Sequence, residues 1–347
     1  MKFAIATFHV PHPQGSSAGR QLWAIADALI ANGHGVEAWC WGPGGASLPV
    51  PDWCEWSPQQ GPQGPTARMQ TLLHPRAASA RGGWVPTAAD ATRWADDWAS
   101  WPAVQQSGGR SVVTVHYDVR LDAQATGWSA ARIQDWRAQR RATKRAEHVW
   151  VLSDDVARHV GGVTVPATVP LPPNPLPANE KPVALMLADW RWPANARALT
   201  RLLSIWQSVC DAVPGAVLVV AGRGSPNIGT TPNVRILGEV ANTVDAMSEA
   251  AVLAFPCPPT SGPKLKVLDA FASGLPVVTT PAGVEGLMVP DDAVAVAPPD
   301  GFRDALVAVL SDAERRAQMA DRARRAVLEH HAPSIAAAAR VALLEAG

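Results

Sequence analysis

TSGPKLKVLDAFASGLPVVTT, residues 260–280, reads as a loop, one short helix, a glycine turn and a buried strand. Leu265, Leu268 and Ala272 form an apolar stripe at i, i+3 and i+7, the period of one helix face. Ser261 is a candidate cap, and Pro263 lies near the first helical position, where a missing N–H costs little. Gly274 ends the helix, and Leu-Pro-Val-Val-Thr-Thr fits a short strand of a buried parallel sheet. Such a helix start offers free backbone N–H groups and a positive dipole end, to which Lys264 and Lys266 add charge. That arrangement suits a phosphate. A second reading fits equally well: Lys266 and Asp269, three apart, form a surface pair of about 0.2–0.5 kcal/mol.

The whole chain narrows the classes. Its 347 residues suffice for two domains. Thirty basic side chains balance thirty acidic ones, so no bulk charge favours nucleic acid or an acidic partner. Cys40, Cys54, Cys210 and Cys257 are far apart and form no C-x-x-C pair, which suggests reduced thiols rather than a zinc site or a disulfide framework. The start, Met-Lys-Phe-Ala-Ile-Ala-Thr-Phe, reaches Pro11 and Pro13 too soon for a signal peptide. No apolar run approaches the ~20 residues of a membrane-spanning helix, so a cytoplasmic chain is expected.

Outward from the opening stretch, β and α patterns alternate. Residues 2–8 read as a strand, followed by the loop HVPHPQGSSAGRQ, a helix over 19–32 and a second strand in GHGVEAWCW. This strand–glycine loop–helix–strand order begins a doubly wound parallel sheet. Residues 43–87 are rich in Pro, Gly and Gln and read as long, mobile loops. A Trp-containing helix near 88–101, the strand SVVTVHYD, a basic helix around 129–146 and the strand HVWVLS follow. The proline-dense TVPATVPLPPNPLPANEKP marks a boundary: residues 1–165 form one domain, 166–180 a linker, 181–330 a second domain and 331–347 a C-terminal helix. In the second domain the strands are PVALMLADW, GAVLVVAG, NVRILGEV and AVLAFPC, with helices at 194–212 and 242–249. Three helices close the chain.

Order and spacing resemble the retaining, nucleotide-sugar-dependent glycosyltransferases of family 4. The resemblance is strongest over about 183–290, through GAVLVVAGRGSP, NVRILGEVANTVDAMSEAAVLAFPC and KVLDAFASGLPVVTTPAGVEGL, and collinear but weaker over 1–165. It implies an α/β fold of two Rossmann-like domains facing across a cleft, the GT-B architecture, with the C-terminal helix packing back on the first domain. It also implies a nucleotide-sugar donor, no cofactor and no metal. Where the family has two glutamates eight positions apart, this chain has Ser261 and Asp269. The resemblance assigns Asp269 to the donor ribose, its carboxylate about 1.5 Å nearer the backbone than a glutamate's. Ser261 in the first acidic position leaves the donor sugar open.

By the same resemblance Lys264 and Lys266 face the diphosphate and stabilise the charge that develops as the sugar–phosphate bond breaks. Gly262 lies in that loop. Arg191 is near the family's arginine position, with Arg197 six residues on as a donor contact or a solvent-facing residue. Arg223, Gly224, Glu239 and Val240 lie on the loops that would flank the nucleotide. In the first domain Gly15, Ser16, Ser17 and Gly19 of PQGSSAGRQ suit close approach to phosphates, or make an ordinary βα turn. His116 ends SVVTVHYD on the sheet edge where open α/β sheets bind ligands, near the donor sugar in the family, or is a structural histidine. His330 and His331 read as surface. No Asp-x-Asp occurs, in agreement with lysine-based activation.

Tryptophan is frequent, fifteen against one tyrosine. Trp94, Trp98 and Trp101 read as core, although such rings also stack on sugars or sit at membrane interfaces. The helix with Arg132, Arg137, Arg140, Arg141, Lys144 and Arg145, beside Trp128 and Trp136, is a solvated face or a peripheral contact with the inner membrane face. The expected partners are a nucleotide-sugar donor and an acceptor that is a glycan, a lipid-linked sugar or a small molecule; no nucleic acid is expected. The rival readings are a GT-B epimerase or phosphorylase and a donor-binding protein without activity.

Overall fold

The computed structural model describes residues 1–42, 48–57, 84–105, 110–224, 226, 228–229, 231–240 and 242–346. Of the stretch read as mobile loops, 43–47 and 58–83 lie outside the described residues. The chain divides into two α/β units, one of Met1–Pro170 with Pro333–Gly347 and one of Leu171–Ala332.

The first unit holds seven parallel strands in the order β3-β2-β1-β4-β5-β6-β7. They are β1 Lys2–Thr7, β2 Gly35–Cys40, β3 Cys54–Trp56, β4 Thr92–Ala95, β5 Ser111–Val115, β6 His148–Val151 and β7 Val163–Thr164. Strand order reverses between β1 and β4, where Ile5 pairs with Ala38 on one side and Trp94 on the other. Helix α1, Ser17–Ala31, connects β1 to β2. The helices α2 Trp101–Gln105, α3 Val119–Thr126, α4 Ala130–Arg145 and α5 Asp154–Val160 follow. β3 falls inside the stretch read as loops.

One expected helix is absent. The 94, 98, 101 spacing of tryptophans imitates a helix stripe, yet Thr92–Ala95 is strand β4 and Trp98 lies in the turn before α2. β4 has neighbours on both edges and is buried on both faces, so its sequence has no polar alternation to reveal a strand. The core reading of these rings holds: Trp94, Trp98 and Trp101 are all buried, and Trp94 Nε1 donates to Thr114 Oγ1 at 2.8 Å.

The second unit has six parallel strands in the order β10-β9-β8-β11-β12-β13. These are β8 Val183–Leu187, β9 Val217–Ala221, β10 Val234–Gly238, β11 Val252–Phe255, β12 Val277–Thr279 and β13 Ala295–Val296. Its helices are α6 Pro193–Ala212, α7 Thr243–Ser248, α8 Leu265–Ser273, α9 Phe302–Leu310 and α10 Ala313–His330. Residues 267–273 of α8 are all buried, because the helix lies between the sheet and α10, with contacts to both. Gly274 closes it in the left-handed region, φ 73°, and Leu275 N–H reaches back to Ala270 O at 2.8 Å. The N-cap is Lys264, without a side-chain cap bond. Ser261 therefore does not cap α8, and Pro263 precedes the helix instead of starting it.

The last helix, α11 Pro333–Ala346, packs on α1 within the first unit. His331, read from sequence as surface, is fully buried, and its Nε2 accepts the Met288 N–H at 2.9 Å within the second unit.

Candidate functional site

Strand order in the second unit reverses between β8 and β11, and ligands of open α/β sheets bind outside the carboxyl ends of strands at such a point. Lys266 lies there. Its Nζ is 4.1 Å above the ring of Phe255, the last residue of β11, and donates to Asn195 Oδ1 at 2.8 Å on α6, which follows β8. Asn195 is itself held, its Nδ2 donating to Asp189 O at 2.7 Å. Burial lowers the Lys266 pKa from 10.5 to about 8, with opposing contributions from Cys257 and Asp189 and a further lowering from Lys264. The ammonium makes no ion pair with Asp269 among the described residues, so the surface-pair reading of these two is not realised. Asp269 is 5% exposed.

The loop before α8 is built around the other lysine. Lys264 is buried, and its Nζ donates to Thr260 O and Ser261 O at 3.1 Å each and to Gly262 O. Its three donors thus hold the loop, and its charge reaches the helix start through loop carbonyls rather than by facing outward. From the other side Glu285 Oε1 accepts the Gly262 N–H at 2.9 Å. Gly262 has φ 72°, a conformation that L side chains rarely adopt. Ser261 is buried in this loop.

Next to the switch point, the ends of β8, β9 and β10 carry two exposed ion pairs. Arg191 grips Asp189 with two hydrogen bonds, Nε to Oδ1 at 2.8 Å and Nη2 to Oδ2. Arg223 Nε is 3.3 Å from Glu239 Oε1. The Arg191 side chain runs along Gly224, where a Cβ would lie 2.8 Å from its Cγ. Gly222 is as constrained, since a Cβ there would lie 1.8 Å from Ala188 O. Val240 is half-buried just past Glu239, and Arg197 is exposed on α6.

The first unit has its own edge at the β1/β4 reversal. Ser16 caps α1, accepting the Gly19 N–H at 3.2 Å, and its Oγ is 3.0 Å from His9 Nδ1. Gly19 is required by close approach: a Cβ would be 2.1 Å from Val10 O. Gly15 N–H turns back to His12 O at 2.9 Å, and Ser17 is exposed on the first turn. His116, just past β5, has Nε2 2.6 Å from Asp96 O. A carbonyl only accepts, so Nε2 carries the proton, and Nδ1 has no hydrogen-bond partner among the described residues. Burial pulls the His116 pKa down, but the hydrogen bond and charge of buried Asp96 outweigh it, and the net shift is upward.

The structure therefore sets Lys266 and Asp269 on α8 with the 260–264 loop before it, sets Arg191, Arg223, Gly224, Glu239 and Val240 along the adjacent strand ends, and places Gly15, Ser16, Ser17, Gly19 and His116 on the first unit's own edge. Asn195, Glu285 and Asp96 escaped the sequence reading. Glu285 sits inside the PAGVEGL segment, and Asn195 stands two residues before Arg197. Among the described residues no three His, Cys, Asp or Glu side chains are placed to hold a metal ion.

Comparison with known proteins adds the following. Residues 181–312 match the family model described as glycosyl transferases group 1. No curated protein sequence matches the chain. Among solved structures, sucrose-phosphate synthase from Thermosynechococcus elongatus superposes with a TM-score of 0.73 at 16% identity, over 99% of this chain and 98% of that one. Anabaena HepE in complex with UDP and glucose gives 0.69 at 14%, over the whole of both chains. S. aureus TarM gives 0.63 at 12%, over 75% of this chain, which spans only 56% of TarM. These likenesses show the fold: two Rossmann-like α/β domains of the GT-B type.

Proposed function

We propose that the protein is a glycosyltransferase, which takes a sugar from a nucleoside-diphosphate donor held on the second unit and passes it to an acceptor hydroxyl. The observation that carries this reading is Lys266, a half-buried ammonium with a lowered pKa, no acidic partner among the described residues, and a place at the topological switch point. A cation held against an aromatic face without a counter-charge is poised for an anion. The match of residues 181–312 to the group 1 glycosyl transferases supports the same reading.

In this account the donor diphosphate lies against the α8 start and Lys266. As the bond from the anomeric carbon to phosphate oxygen breaks, charge grows on the leaving diphosphate, and Lys266 with the helix dipole stabilises that charge. Fixed cations do this without a divalent metal. Asp269 accepts hydrogen bonds from the ribose hydroxyls, and the strand ends around Arg191, Arg223 and Glu239 flank the nucleotide. The two arginines carry their own carboxylates, so their net contribution is small. Retention of anomeric configuration is what the family resemblance implies: the acceptor oxygen would bond to the anomeric carbon on the face the phosphate oxygen leaves, and the acceptor proton would pass to the departing diphosphate.

The test is a thermal-shift series with UDP, GDP, ADP and dTDP, followed by turnover of the matching nucleotide sugars with and without EDTA. A ligand at a hundred times its Kd stabilises by about 2.7 kcal/mol. One nucleotide shifting the midpoint, with EDTA-resistant release of that nucleotide from its sugar, is the expected result. No shift with any of the four contradicts the reading. Binding without turnover points instead to a nucleotide-sugar-binding protein, a reading that Ser261 in the family's acidic position favours.

A further inference from the structure

We propose that the outward face of α4 in the first unit docks the protein on an anionic lipid surface. The helix carries Arg132, Arg137, Arg140, Arg141, Lys144 and Arg145 against a single acid, Asp135, although the chain as a whole has thirty charges of each sign. Gln139 and Ala142 face inward and are buried. The opposite face presents Ile133, Arg137, Arg140, Arg141 and Lys144, all exposed, with Arg145 beside them. Arg132 is engaged internally, donating to Asp122 O at 3.1 Å. None of the other five cations pairs with an acid among the described residues.

An ordinary solvated face looks different in this same protein. Four of the five arginines of α10 are engaged: Arg322 pairs with Asp292 at 2.7 Å and Arg325 with Asp321 at 2.6 Å, while Arg316 donates to the carbonyls of Val309 and Leu310 and Arg324 to that of Pro172. α4 keeps its charges unmatched and adds apolar groups among them. Ile133 is 37% and Trp128 47% exposed. Trp128 stands edge-on to Trp136 with ring centres 6.4 Å apart, and the Arg140 guanidinium lies 5.7 Å over Trp136. The cations and Trp136 line a shallow groove of about 390 Å³.

Unmatched cations with interleaved aromatic and aliphatic side chains suit a headgroup boundary, where phosphates meet the guanidinium groups and rings enter the acyl edge. A nucleic-acid backbone would use the charges but would leave Ile133 idle. Among the described residues no helix is long and apolar enough to cross a membrane, so the contact would be peripheral. This inference stands apart from the donor reading, since no α4 residue belongs to that site.

Vesicle co-sedimentation of the full chain tests it, using phosphatidylcholine alone and phosphatidylcholine mixed with phosphatidylglycerol, each at low and physiological salt. The expected result is binding to the mixed vesicles that weakens with salt and falls about tenfold or more in the combined Arg137→Gln, Arg140→Gln, Arg141→Gln, Lys144→Gln variant. Trp128→Ser should weaken binding several-fold. All five side chains are on the surface, and an unchanged unfolding midpoint confirms that the variants fold. Equal binding to both vesicle types, an unaffected quadruple variant, an unaffected Trp128→Ser, or tighter binding to a poly-uridine strand than to the vesicles would each overturn the proposal.

Discussion

Lys266 donates to Asn195 Oδ1 at 2.8 Å, and this bond joins α8, after β11, to α6, after β8, across the reversal point of the second sheet. Because Asn195 Nδ2 is fixed by Asp189 O at 2.7 Å, the amide can present only its oxygen to the ammonium. A neutral acceptor orients Lys266 without cancelling its charge. Under the proposed function that charge is left for a phosphate, and Asn195 is a positioning residue acting through the lysine.

Asn195→Asp converts that neutral acceptor into a competing anion. Nucleotide affinity should fall about tenfold, the equivalent of one pKa unit of competing interaction. Titration calorimetry with the nucleotide found in the thermal-shift series reads this directly. Affinity equal to wild type would place the phosphates away from Lys266.

The lowered Lys266 pKa gives the reaction a basic limb. The free enzyme loses the ammonium as pH rises through about 8, so kcat/KM, which reports free-enzyme ionisations, should decline above that pH. Stability should run the other way. Between about 8 and 10.5 the unfolded chain binds more protons at this site than the folded one, so stability rises with pH across that window. Lys266→Met should remove both effects and raise the unfolding midpoint at neutral pH. A pH profile flat to pH 10 in kcat/KM would contradict the assignment.

Asp96 raises the His116 pKa against the opposing effect of burial, so Asp96→Asn should lower it. The stabilisation from this pair is complete below the ordinary histidine value of 6.5 and fades as pH rises through the higher folded value. Imidazole proton shifts across a pH titration measure this. A His116 pKa that stays put in Asp96→Asn would leave the pairing without electrostatic content.

Arg340 of α11 is fully buried, with its guanidinium 5.8 Å from the Trp94 ring centre and 5.7 Å from that of Trp150. Burial lowers its pKa to about 10, and Nε and Nη2 have no hydrogen-bond partner among the described residues, while Nη1 donates to Ala336 O at 2.8 Å. Arg340→Ala should cost about 2–4 kcal/mol through the cavity left between two rings. Arg340→Met fills that space without an unpaired charge and should stay within about 1 kcal/mol of wild type, or exceed it. Urea unfolding distinguishes them; equal losses would show that the charge, and not the volume, holds the last helix.

Much of the fold is legible in the sequence. Strand–helix alternation and the Gly274 turn marked parallel sheets, because buried strands of Val, Leu and Ala bounded by glycine leave few other options. β4 was not legible: burial on both faces erased its alternation, and three tryptophans mimicked a helical stripe. His331 looked like surface because nothing local reveals that Met288 needs an acceptor 43 positions away. At the site, Lys266 could be singled out from its helix start, whereas Asn195 and Glu285 could not, since their roles depend on contacts made 71 and 23 positions along the chain. Sequence reading also could not separate the two lysines. Only the fold shows that Lys264 turns into its own loop while Lys266 keeps an unneutralised charge.

Under the proposed function Lys266 stabilises charge in the transition state while Asp269 holds a part of the donor that does not change. The most direct measurement is nucleotide release from the donor sugar by Lys266→Ala and Asp269→Ala, each compared with wild type. Lys266→Ala should lower kcat by about 100-fold or more, as removal of an oxyanion-type donor does, and Asp269→Ala should raise KM with kcat largely kept. Turnover by Lys266→Ala within about twofold of wild type would contradict the account.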